Sequence, residues 1–196
     1  MSYRTFATAL LLCACSTPHY EAANHPQSTR LVVPPSAIAA LSSDDETLGL
    51  PGEVCFGSVF GRSALYLRFP NDWRGQGVPV QAAIALAARE GAAIDGGSVT
   101  LEAWRVSATW QADALRAWSD QPALAPPHAE LTFTPAAVRD VRIDVTELLR
   151  FAAKNPERDF GIALLSDGGS GHGASFATGM SGGMAPRLEL LFAEKH

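Results

Sequence analysis

The chain has 196 residues, enough for one well-buried domain of roughly 150 residues with some flanking sequence. Its formal net charge is -5, which excludes the basic surface that nucleic acid or an anionic membrane patch requires. Cysteine is sparse, at 3 residues, so a disulfide-stapled scaffold is excluded as well.

Residues 1–14 read as a targeting segment. Arg4 supplies a positive start, and Thr5 to Leu12 form an apolar run of 8 residues, short of the about 20 that cross a bilayer. The sequence Leu12-Cys13-Ala14-Cys15 that follows resembles the lipobox of bacterial lipoproteins. By that resemblance Cys15 is the acylated N-terminus of an exported, membrane-anchored protein, and Ser16 is compatible with sorting to an outer membrane, on either face. An ordinary secretory signal cut near Ala14 is the alternative, and both export the chain. Cys55 then remains as the one thiol, flanked by Val54 and Phe56 and expected to be a small buried hydrophobe. Residues 15–28 are polar, contain Pro18 and Pro26, and show no apolar period, which describes a tether. His19 and His25 lie in it without the further ligands a metal site needs.

From Thr29 to Ala193 the pattern is that of strands. Leu31-Val32-Val33 ahead of Pro34-Pro35 fits an edge strand, and Ser36 to Leu41 a second. Ser42 to Glu46 is an acidic loop that lacks the spacing of a calcium loop. Glu53 to Phe60 and Ser63 to Phe69 read as a hairpin turning at Gly61-Arg62. Pro70-Asn71-Asp72 ends it. Val80 to Ala87 alternates, and Ser98 to Val106 does so after Gly96-Gly97, with Trp104 on a sheet face. A long irregular connection, Ser107 to His128, holds Trp110, Trp118 and three prolines.

Arg139 to Val145 is again a strand. Asp144, with Glu147 three residues on, opens a short helix that buries Leu148, Phe151 and Ala152 and stops at Pro156. Phe160, Ile162 and Leu164 then mark one face of a strand. Ser166 to Gly173 is a glycine-rich loop, Ala174 to Ala177 a short strand, and Leu188, Leu190 and Phe192 one face of the last. The predicted fold is all-β, a jelly-roll-type β-sandwich of two antiparallel sheets with one short helix. Its predicted core is Leu65, Leu67, Phe69, Ile84, Leu101, Ile143, Phe160, Ile162, Leu164, Phe176, Leu188 and Leu190.

The ordered set of motifs, Leu65-Tyr66-Leu67-Arg68-Phe69, Trp118-Ser119-Asp120-Gln121-Pro122, Ile143 to Leu149, Phe160 to Leu164, Ala174-Ser175-Phe176 and Pro186 to Leu190, resembles the DNRLRE-type domain family. That resemblance implies a non-catalytic module of exported bacterial proteins, similar to carbohydrate-binding jelly rolls and needing no cofactor. The polysaccharide candidates are then Trp73, Trp110 and Trp118, since sugar rings stack on flat indole faces. If those indoles are buried, they instead plug the sandwich, and the module is a structural envelope lipoprotein that meets a protein partner through a sheet face.

Catalytic patterns fail on their own chemistry. Gly179-Met180-Ser181-Gly182-Gly183 matches a nucleophile elbow, but Pro186 and a strand follow where a helix is required, and no aspartate lies beyond Ser181. The glycines at 168 to 173 lack the lysine of a phosphate loop, so His172 among them reads as a solvent-facing loop residue. Asp113, Asp120, Asp140 and Asp144 read as turn and cap residues.

Overall fold

The computed structural model describes residues 28–43, 52–57, 61–89, 97–135, 139–166, 172–179 and 184–193. Within them the chain is an all-β sandwich with one α-helix. The strands are β1 (Ser28–Val33), β2 (Ala37–Ser42), β3 (Glu53–Gly57), β4 (Ser63–Arg68), β5 (Gln81–Ala87), β6 (Val99–Val106), β7 (Leu124–Phe133), β8 (Asp140–Asp144), β9 (Ile162–Ser166), β10 (Gly173–Ala177) and β11 (Arg187–Ala193). The helix α1 (Thr146–Lys154) lies between β8 and β9.

One sheet has four strands in the order β1-β11-β5-β8, and the facing sheet has five in the order β2-β4-β9-β6-β7, with every pair antiparallel. Strands β3 and β10 form a separate ribbon, joined to the end of β5 by a bridge from Ala88 to Phe176. Register sets the inner faces side by side. Leu188, Ile84 and Ile143 fall in one row of the first sheet, and Leu65, Leu164 and Ala103 in one row of the second. These six are fully buried and meet in the main core, with Phe56 and Phe176 of the ribbon packed ring to ring at 5.8 Å.

The five-stranded sheet is buried on both sides along β2, β4 and β9. Its outer face carries Ala39, Leu41, Ala64, Tyr66, Val106 and Ala163, and the segment after β6 folds back over them with Trp110 and Leu115 to make a second core. Double burial explains why the central residues of β4, Ala64 to Leu67, are a continuous apolar run instead of alternating.

Four expectations are corrected. The strands around Gly61-Arg62 are not a hairpin, because β3 pairs with β10 and β4 lies between β2 and β9. The irregular connection ends at Ala123, and β7 runs from Leu124 through Pro126 and Pro127, which an edge strand tolerates because one side has no ladder to donate to. Phe160 is half-buried in the second core, since Gly161 at φ +108 turns the chain between it and Ile162. The helix cap is shorter than predicted: Asp144 Oδ1 accepts from Thr146 N at 2.8 Å and Thr146 Oγ1 at 2.6 Å, while Glu147 pairs with Arg150. The other predicted core residues are buried.

Candidate functional site on the outer face of strands β6 and β7

The structure separates the predicted indoles. Trp73 sits in a 3-10 turn, Asn71–Gln76, and is 2% exposed at the end of the main core. Trp110 is 5% exposed: its Nε1 donates to Phe160 O at 2.6 Å, the Arg68 guanidinium covers its ring at 4.7 Å, and Tyr66 packs at 5.9 Å. Neither presents a free stacking face. Trp118 is half-buried against the second core, where Asp120 accepts hydrogen bonds from Arg116 N and Ala117 N that hold its carboxyl below the usual range. The three do not converge. Cys15 lies outside the described residues, as do His19, His25 and Ser181. Cys55 is a half-buried free thiol whose Sγ lies 2.8 Å from Ser175 Oγ.

A different tryptophan heads an open arrangement. Trp104 is opposite His128 in the β6–β7 register, and the rings stack at 4.2 Å with 10° between planes. Alternation puts Glu102 and Thr100 on the same face of β6, opposite Glu130 and Thr132 of β7. Trp104 Nε1 donates to Glu102 Oε2 at 2.7 Å, fixing the indole, and Thr100 and Thr132 share a hydrogen bond at 3.1 Å. His128 Nε2 lies 3.7 Å from Glu130 Oε1, both side chains open to solvent.

An aromatic pair, a carboxylate pair and a hydroxyl pair therefore follow one another in successive rows of the strip. From Thr100 to Trp104 it spans about 14 Å at the rise of an antiparallel strand. His128 and Glu130 also border an open groove of about 670 Å³, whose far wall includes Gln81, Thr146 and Arg150.

Chemically the strip offers acceptors for neighbouring hydroxyls, an apolar ring edge and an extended open track. It shows no nucleophile held by a base. Sequence reasoning placed Trp104 on a sheet face but missed its partners, because His128 was read as loop. The alternation Ala129, Leu131, Phe133 against His128, Glu130, Thr132 was the available cue.

The opposite face of the sandwich carries a charge cluster. Glu189 of β11 is bonded by Arg30, Arg187 and Arg142 at 3.0, 3.1 and 3.4 Å. Burial pushes the Glu189 carboxyl up, but the bonds from Arg142 and Arg187 and the neighbouring positive charges outweigh it and hold its pKa below the usual range.

The chain is an all-β sandwich with a part-exposed aromatic and acidic strip on one face. No family model matches the chain, and comparison with curated proteins finds no match.

Proposed function

We propose that the chain is a non-catalytic, exported module that binds polysaccharide along the β6–β7 face. The observation that carries the proposal is the part-exposed Trp104–His128 stack with the facing pair Glu102 and Glu130 in the next row of the ladder. An aromatic edge shields the apolar face of a sugar while carboxylates accept from its hydroxyls, and an open track admits a chain of rings where a closed pocket would not. The resemblance to DNRLRE-type domains and the all-β sandwich architecture support the same reading. Acylation at Cys15 would anchor the module to the cell envelope, with the tether holding it off the surface.

The test is calorimetric titration of neutral and acidic oligosaccharides into wild type, Trp104→Ala and Glu130→Gln. Binding that falls about tenfold or more in both variants, at unchanged far-ultraviolet spectra, is the expected result. An absence of binding across a glycan array overturns the reading. For the anchor, Cys15→Ala should release the protein from membranes into the soluble fraction, and membrane retention of that variant overturns the lipid assignment.

The Arg30, Arg142, Arg187 and Glu189 cluster favours a second reading, a protein partner with an acidic face docked on the four-stranded sheet. Cross-linked partners lost on Arg142→Glu but kept in Trp104→Ala would favour it over glycan binding.

A further inference from the structure

Arg105 is 6% exposed, and no carboxylate lies within ion-pairing distance of it among the described residues. Arg105 continues the inward alternation of Leu101 and Ala103 and lies beneath α1, at the point where the register of β6 on β7 shifts. There Nε donates to Pro126 O at 3.1 Å, Nη1 donates to Arg158 O at 3.4 Å, and the Phe151 ring lies 4.4 Å away. Burial lowers the pKa of this group, the positive charge of Arg158 adds to that effect, and the negative charge of Asp159 offsets part of it. A buried charge without an ion pair in direct contact is costly, so its surroundings need an account.

Those surroundings include a cavity of about 60 Å³, lined by Arg68, Asn71, Arg105, Asp159, Leu148 and Ala152 among others. Its only acid, Asp159, is already paired with Arg74 and accepts Gly161 N at 3.2 Å. Arg68, on the cavity wall, donates to a carbonyl and not to a carboxylate. The local balance is therefore positive. A water-sized sphere takes about 10–15 Å³, so the cavity has room for an anion of about four or five heavy atoms. Arg68 and Asp159 also border an open cleft beside Thr109 and Gln111, which gives a route from solvent.

We propose that this cavity binds a small oxyanion of carboxylate or phosphate size, with Arg105 as its charge partner and Arg68 and Asn71 as further donors. The site stands independently of the glycan reading, since it uses none of the strip on the outer face of β6 and β7. The anion is either a free ion or the charged end of a larger molecule lying in the cleft.

Calorimetry and thermal melts of the full chain at low ionic strength, with sodium phosphate, acetate and glycerol 3-phosphate as probes and chloride as control, test it. Saturable binding of phosphate or acetate that chloride does not reproduce is expected. A tighter grip on glycerol 3-phosphate than on phosphate identifies the carried group, and a weaker one the free ion. Arg105→Gln should weaken binding roughly tenfold or more. Ala152→Met, which fills the cavity without changing charge, should do the same and decides the matter if Arg105→Gln does not fold. Lys154→Gln, an exposed charge change on the same helix, should leave binding unchanged. Equal stabilisation by chloride, no saturable binding, or binding intact in Ala152→Met overturns the proposal.

Discussion

Replacing Tyr66 with phenylalanine probes the second core, and the structure sets both the size and the pH dependence of the effect. Tyr66 is fully buried against Trp110, and its hydroxyl donates to Gln121 Oε1 at 3.1 Å. At neutral pH the variant loses that one bond, which costs about 0.5–1.5 kcal/mol. Burial pushes the Tyr66 pKa from 10.0 to about 12. Below pH 10 the side chain is neutral in folded and unfolded chains alike, so this contribution is fully present. As pH rises from 10 toward 12 the unfolded chain loses its proton well before the folded one, so stability falls; by pH 12 the loss is about 2 kcal/mol. Phenylalanine has no proton to lose, so the wild type should lose its advantage and fall below the variant in that window. Urea melts of both proteins at stepped pH, with phenolate absorbance followed alongside, check this. Tyr3 and Tyr20 precede the sandwich and cancel in the difference between the two proteins. A Tyr66 that ionises near pH 10 while the chain stays folded, or two stability curves that run parallel to pH 12, would refute the claim that this second core is dry.

Three further outcomes follow from the packing. Gly161→Ala places a Cβ 2.3 Å from Leu67 O at φ +108, so it should cost more than the about 1–3 kcal/mol of backbone strain alone; an unchanged melting temperature would contradict the turn into β9. The Glu189 carboxyl, held below its usual pKa by Arg142, Arg187 and Arg30, contributes stability above the ordinary carboxylate range that is lost as pH falls through its lowered folded pKa. Glu189→Gln should flatten that acid limb, as measured by melts at stepped acidic pH. Leu188→Ala, at the centre of the main core, should cost about 2–5 kcal/mol in urea unfolding, whereas Val32→Ala, at 48% exposed, should stay within about 0.5 kcal/mol.

The sequence by itself determined what depends on neighbours one or two residues away. Alternation at Ile143 and Val145 and at Leu188, Leu190 and Phe192 marked inner faces, because successive side chains of a strand point to opposite sides whatever the strand pairs with. The helix after Asp144 was legible for the same reason, since a side-chain cap, an apolar face and a proline stop are local.

Tertiary structure decided the rest. Partner choice depends on residues far apart in the chain: β3 finds β10 at Cys55 and Ser175 and leaves its sequence neighbour β4 to β2 and β9. Hydrophobicity likewise cannot say which surface buries an indole. Trp73 and Trp110 occur in polar, loop-like sequence, yet the sandwich closes over one and its second core over the other. Trp104 sits in a plainly legible strand and remains part-exposed, because its neighbour across the ladder is His128 on an edge strand that Pro126 and Pro127 had disguised. Arg105 continues the inward-facing positions of Leu101 and Ala103, and only the bulge and the cavity under α1 make room there for a charge.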